Sequence, residues 1–425
     1  MNQAEADGLL AGIPRQSGPP AEAPEPGPAP APALPPGRGP GPGGFGGRLL
    51  RALAEGFRAF TGRPLGRYQA AVVRIGFALA FTVQLLREWP NRRVLYGDQA
   101  AWSLDLARQL LAQNHAFTVL TWSDNRWWFE GVYHLGILAG ILLMLGWRTR
   151  ISSVLFLLTV LSLQNRSVLI GDGGDNIVHL MAIYLVFTRC GRVWSLDARR
   201  RRAGREGGPV GVLLWLLLGG LLTAAQLTGK VSWHGESWPY VGWSALFWTL
   251  WGCAGLWYAV DRRWPRGEPR AVLDALAGML HNCALLVIAV QVVLIYSTAG
   301  WYKVQGSRWQ DGTALYYPMH LDYFAPWPEL SGLLGSSAVL VFLISYGTVL
   351  VQVAFPFTLA HRRLKNVLLG VMMLEHLGIA VALGLPVFSL AMIAADAVFL
   401  PTTALLWVGR RVKRGVRGVR APALR

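Results

Sequence analysis

Cysteine and charge are what this chain has least of. Three cysteines, Cys190, Cys253 and Cys283, occur in 425 residues without metal-ligand spacing or repetition. That excludes a disulfide scaffold and a thiolate metal centre, and leaves them as small apolar residues in or beside helices. Charged residues make up 15% of the chain, against about 25% in a soluble domain. None of the eight histidines stands four residues from another, so a His-x-x-x-His metal motif is excluded and no metal is expected. From Met1 to Arg67 there is no apolar signal-peptide core, so the first hydrophobic run is expected to act as an uncleaved targeting signal.

Hydrophobic residues are abundant instead, at 53%, with 19 tryptophans. Many of the tryptophans stand near the ends of apolar runs, where an amphipathic indole settles among lipid headgroups. The net charge of +17 gathers in short segments between these runs and at the C-terminus. Nucleic-acid binding calls for a basic face interleaved with aromatics, so the charge reads as topology and contact with anionic lipid. No nucleic acid is expected as a partner; the lipid bilayer is.

Residues 1–45 contain PAPAPALPP (Pro28 to Pro36), and GPGPGGFGG begins at Gly39; this composition predicts a disordered tail. Residues 46–66 place Arg48, Arg51, Arg58 and Arg63 among apolar residues, as in a basic helix on a membrane surface. Ten runs long enough to cross about 30 Å of hydrocarbon follow, at 69–87, 127–147, 151–170, 175–190, 210–228, 241–260, 279–301, 336–359, 365–384 and 386–408. The fold class is therefore all-α, a polytopic transmembrane bundle (67–408) of about ten spans with a basic tail at 409–425. With both termini cytoplasmic, the inner segments hold Arg148 and Arg150, Arg199–Arg202, Arg262, Arg263, Arg266 and Arg270, Arg362, Arg363 and Lys365, and Arg410–Arg420. The short outer segments hold Arg166, Lys230, Lys303 and Arg308, in keeping with the positive-inside rule. The outer loop 88–126 is the exception, with Arg92, Arg93, Arg108 and Arg126. Its stretch from Trp102 to Leu111 is expected to be an interfacial helix that holds such charges at the headgroups.

Ionisable residues inside spans are functional candidates by default. YSTAGWYKVQGSRWQDGTALYY (Tyr296 to Tyr317) puts Lys303 at the outer end of an apolar helix, followed by Trp309, Asp311 and Thr313. An amine held in an apolar site serves as a neutral base; the bland reading is a lysine snorkelling to the interface. Asp311 is placed to pair with Lys303 or Arg308, or to cap a turn. In GDGGDNIVH (Gly171 to His179), Asp175 and His179 stand one helical turn apart, a pair that orients an imidazole, or else an N-cap followed by a structural histidine. Glu375 and His376 lie inside the ninth run and, being adjacent, point about 100° apart, so at least one must find a partner on another helix. Asp396 is one such partner. Arg74 is expected to snorkel, and His134, His281 and Asn282 to be structural.

Three blocks, GDGGDNIVHLMAIYLVF with WSLD (Trp194–Asp197), STAGWYKVQGSRWQDGTALYY, and FPFTLAHRR with MLEHLGIAVALGLPVFSLAMI, resemble the HTTM family of bacterial membrane proteins. That family is related to the membrane portion of vitamin K-dependent gamma-glutamyl carboxylase and to the sporulation-delaying-protein B group. The resemblance covers about residues 66–408. It implies Lys303 as the base that deprotonates a reduced quinone, menaquinol in a bacterium. The quinol then reacts with oxygen to give the stronger base that activates a peptide glutamate for carbon dioxide. Tyr302 stands where the carboxylase has a paired lysine. His376 matches a histidine of the final block and joins Lys303 as a catalytic candidate. Asp175, His179, Trp301, Trp309 and Asp311 are candidates for substrate or quinol binding. The segment 205–275, with KVSWHGESWPYVGW from Lys230, reads as a two-span insertion. Two functions compete: a quinol-dependent carboxylase-type enzyme on the outer side of the cell membrane, and a non-enzymatic membrane protein assisting maturation, export or immunity of a secreted peptide. A transporter is disfavoured because no inverted repeat is found.

Overall fold

The computed structural model describes residues 45–204, 208–231 and 242–420. The expected tail, apart from Phe45, and most of the Trp-rich stretch after Lys230 lie outside these. The chain divides into two units, Met1–Ala54 and Glu55–Arg425, and in the first the described residues open helix α1 (Phe45–Gly62).

The second unit is all helix among the described residues. Counting helices of ten residues or more, α2 is Arg67–Glu88, α3 Leu104–Asn114, α4 Arg126–Leu145, α5 Thr149–Arg166, α6 Gly173–Phe187, α7 Pro209–Leu227, α8 Trp243–Arg263, α9 Glu268–Gln305, α10 Ala338–Thr358, α11 Arg362–Ala382, α12 Pro386–Asp396 and α13 Thr402–Arg420. Six are long and apolar enough to cross a membrane, or seven if the bent pair α12–α13 counts as one span. Every expected run falls on a helix, but four depart from expectation. Helix α5 stops at Arg166 and carries Ser, Thr, Gln and Asn, α6 has 15 residues, and α8 is diluted by tryptophan; none of the three is among the six. The last run is no single rod, because the chain bends by 120° between Phe399 and Thr402, where Pro401 denies the helix a backbone donor. In the other direction, α9 is longer than foreseen, one helix of 38 residues.

Local chemistry sets the helix ends. Asp172 accepts from the amides of Gly174 and Asp175, and Asp175 answers by accepting from the Asp172 amide, a reciprocal capping box that starts α6. Asp197 of the WSLD segment accepts from the amides of Arg148 and Thr149, and so caps α5 from 48 residues away. Arg74, expected to snorkel, is instead fully buried. Its guanidinium donates to the carbonyls of Leu143 and Met144 at the end of α4, where a helix presents negative charge, and to the carbonyl of Trp194 in the WSLD segment.

Helices α2 and α12 form the centre, α2 against α4, α6 and α12, and α12 also against α6 and α11. Contact is close because glycines face small side chains. A Cβ on Gly76 would lie 2.4 Å from that of Ala394, and one on Gly140 would lie 2.2 Å from the Thr82 hydroxyl. Such packing replaces the hydrophobic drive that helices lose in lipid. Outside the centre, α7 and α8 hold each other. The Trp215 and Trp251 rings stack 4.1 Å apart, and each indole N–H donates to the other residue's carbonyl, at 3.0 and 2.9 Å. Of α7, only Gly219 and Ala225 are buried.

Three of the four arginines of the loop 88–126 and its edge pair with acids. Arg92 pairs with Glu130 at 2.9 Å, Arg93 with Asp98 at 2.6 Å, and Arg108 with Asp105 and Asp124, while Arg126 stacks on Trp127. The stretch from Trp102 to Leu111, expected to be an interfacial helix, falls on helix α3, started two residues later by the Ser103 cap. Buried Arg166 ties this loop down through the carbonyls of Gly97 and Trp102.

Candidate functional site

Tyr296 and Lys303 lie two turns apart on α9 and therefore share a face. Between them Gly300 lets α10 approach so closely that a Cβ there would stand 2.8 Å from the Val353 side chain. That approach puts Gln352 of α10 within reach. The Lys303 ammonium donates to Gln352 Oε1 at 2.9 Å, and Gln352 Nε2 donates to Glu375 Oε1 of α11 at 2.7 Å. The amide thus links amine and carboxylate, using its acceptor for one and its donor for the other. Lys303 also lies 5.1 Å from the centre of the Trp309 ring, a cation–π contact. The amine is thus turned toward α10.

Deeper in the bundle, the Tyr296 hydroxyl donates to Asp396 Oδ2 of α12 at 3.0 Å and meets His376 Nε2 at 3.0 Å. His376 and Asp396 are 3% and 0% exposed, and Phe388 sets its ring edge-on to the imidazole at 5.7 Å. Neighbouring Glu375 and His376 each find a partner on a different helix, as their angular separation requires. Three buried atoms, Glu375 Oε2, His376 Nδ1 and Asp396 Oδ1, have no hydrogen-bond partner among the described residues. Four helices thereby bring an amine, two carboxylates, an imidazole and a phenol into one apolar region. Side chains of these types can hold or pass protons. Tyr296 and Gln352 were not among the residues singled out in the sequence. A lone amide at 352 in an otherwise apolar run was the available signal, since a buried amide must be paired.

The other expected residues fall elsewhere. Trp301, two residues before Lys303, points to the far side of α9, where it lines a shallow outward groove with Ser297, Thr298 and Tyr302. Asp311 stays apart from Lys303. It sits in the exposed loop, accepts from the Thr313 hydroxyl at 2.5 Å and amide at 2.9 Å, and lies 3.6 Å from Arg308. The Thr313 hydrogen bonds hold its carboxyl below the usual carboxylate range. Asp175 does not orient His179. Its side chain is taken by the capping box and by Gln84, which donates to it at 2.6 Å. Sequence spacing favoured the pair, but a carboxylate in a first helical turn is closer to the free amides beside it. The structural assignment of the remaining histidines agrees with their contacts. His281 accepts from the Arg189 amide and donates to the Leu65 carbonyl, Asn282 binds the carbonyls of Phe60 and Arg63, and His134 bridges Trp89 and the Glu130 carbonyl.

Among the described residues no cluster of His, Cys, Asp or Glu has the arrangement of a metal site. No known protein family, curated protein or solved structure matches this chain.

Proposed function

We propose that the chain is a ten-span cell-membrane protein of the HTTM class, with both termini cytoplasmic, whose outer-side site performs carboxylase-type chemistry on a reduced quinone such as menaquinol. Lys303 serves as the base that takes the quinol proton, and His376 as the second proton-handling group. The acceptor is a secreted peptide or another carbon acid. The observation that carries this reading is the inward-turned Lys303, held by Gln352 and directed toward Glu375. An interfacial lysine without a task has no reason to leave water. Trp301 and its neighbours provide an apolar groove on the lipid side, suited to a quinone that arrives through the bilayer.

The test supplies the purified protein with reduced quinone, oxygen and bicarbonate, with and without glutamate peptides, and follows quinone epoxide by mass spectrometry. Wild type is expected to form epoxide, and Lys303→Ala to lose it by roughly 100-fold or more, the usual loss on removing a general base. Absence of epoxide from folded wild-type protein would move the assignment to the second reading, a non-enzymatic helper of a secreted peptide. That reading draws on the close packing around His376 and Asp396, in which the polar cluster serves to pin helices together.

A further inference from the structure

The contacts of Tyr296 tie the protonation of its two neighbours together. A phenol has one proton, and with Asp396 ionised this one is donated to its carboxylate. The 3.0 Å contact with His376 Nε2 must then be filled by a proton on that nitrogen. His376 is consequently the Nε2–H tautomer, and its Nδ1, buried and without a partner among the described residues, carries a free lone pair. Asp396 is fully buried and has no ion-pair partner among the described residues. The charged groups nearest this set are Glu375, beside His376 on α11, and Lys303, which reaches Glu375 only through Gln352. From α12, Phe388 sets its ring against the imidazole.

We propose that His376, Tyr296 and Asp396 form a proton relay, in which a proton taken up at His376 Nδ1 is delivered as a proton on Asp396. The incoming proton forms an Nδ1–H bond. The Nε2–H bond breaks and its proton passes to the Tyr296 oxygen, while the former Tyr296 proton forms an O–H bond on Asp396 Oδ2. One proton enters, the imidazole ends neutral in its other tautomer, and no electrons are exchanged. The transfer removes an uncompensated charge from an apolar interior. Tyr296 and Asp396 are thus positioning residues that present a basic nitrogen. Their part in turnover rests on the function proposed above, but the relay itself belongs to the resting chain.

The experiment is nitrogen NMR of the full chain, labelled at histidine and held in lipid nanodiscs, with the His376 signals assigned from His376→Gln. Wild type is expected to show Nε2 protonated and Nδ1 bare. In Asp396→Leu the phenol has no acid to serve and turns to the imidazole, so the tautomer is expected to switch to Nδ1–H. A wild-type Nδ1–H tautomer overturns the relay whatever the variants do, and so does an unchanged tautomer in folded Asp396→Leu. In the epoxide assay Tyr296→Phe is expected to lower kcat about tenfold with little change in KM. Epoxide formation unaltered by Tyr296→Phe would overturn the catalytic role of the relay while leaving the quinol reading intact. The expected tautomers without any epoxide would support the relay and remove the quinol reading.

Discussion

A buried arginine without a carboxylate partner is uncommon, and Arg74 shows how one is tolerated. Its charge is spread over the carbonyls of Leu143 and Met144 at a helix end and of Trp194 in the WSLD segment, and Arg74→Met, similar in length, removes all three hydrogen bonds. We expect a loss of roughly 3 kcal/mol, read as a lower midpoint of unfolding in detergent. Asp311 offers a pH-dependent case. Its carboxyl is held below the usual range by Thr313, so its contribution to the loop is complete above its unfolded pKa near ~3.9. That contribution is lost as pH falls through the lower folded value. Hydrogen exchange at the Thr313 amide should therefore accelerate, relative to its intrinsic rate, at strongly acidic pH in wild type and show no such step in Asp311→Asn. At this scale the candidate site was half legible. Ionisable residues inside apolar runs picked out Lys303, Glu375, His376 and Asp396. Tyr296 and Gln352 join them into a network but carry no charge to draw attention.

Helices were legible from their apolar length, and their ends less so, because several caps come from distant residues. Asp197 on α5 is one, and no local pattern announces it. The bend after α12 was missed for a different reason, since hydropathy continues across Pro401 while the backbone cannot. The α7–α8 pair makes the sharpest prediction among the elements. A Cβ on Gly219 would lie 2.7 Å from the Trp251 ring and one on Gly255 would lie 2.8 Å from Trp215, whereas Gly220 and Gly252 face nothing within 4 Å. Gly219→Ala and Gly255→Ala should separate the stacked indoles, abolish their near-ultraviolet dichroism and cost about 1–3 kcal/mol. Gly220→Ala and Gly252→Ala should leave the signal unchanged. Equal effects at all four positions would show that the stack does not hold the pair together.

For the whole molecule, the ten-span reading predicts which surfaces a membrane-impermeant thiol reagent reaches in intact cells. In a cysteine-free background, Asp98→Cys and Asp124→Cys should label from outside. Arg200→Cys and Arg362→Cys should label only after the membrane is opened. External labelling of Arg362→Cys would mean the span count is wrong by an odd number. Net charge alone left the loop 88–126 an exception to the expected pattern, and the pairing of its arginines with Glu130, Asp98, Asp105 and Asp124 became visible only in space. One feature also bears on the order in which the protein is made. The carbonyls that hold Arg74 belong to residues 69, 70 and 120 positions later in the chain. When α2 leaves the ribosome its arginine faces either lipid or water, and neither Leu143 nor Trp194 yet exists. The hydrogen bonds that satisfy the Arg74 guanidinium can therefore form only after α4 and the WSLD segment have been synthesised.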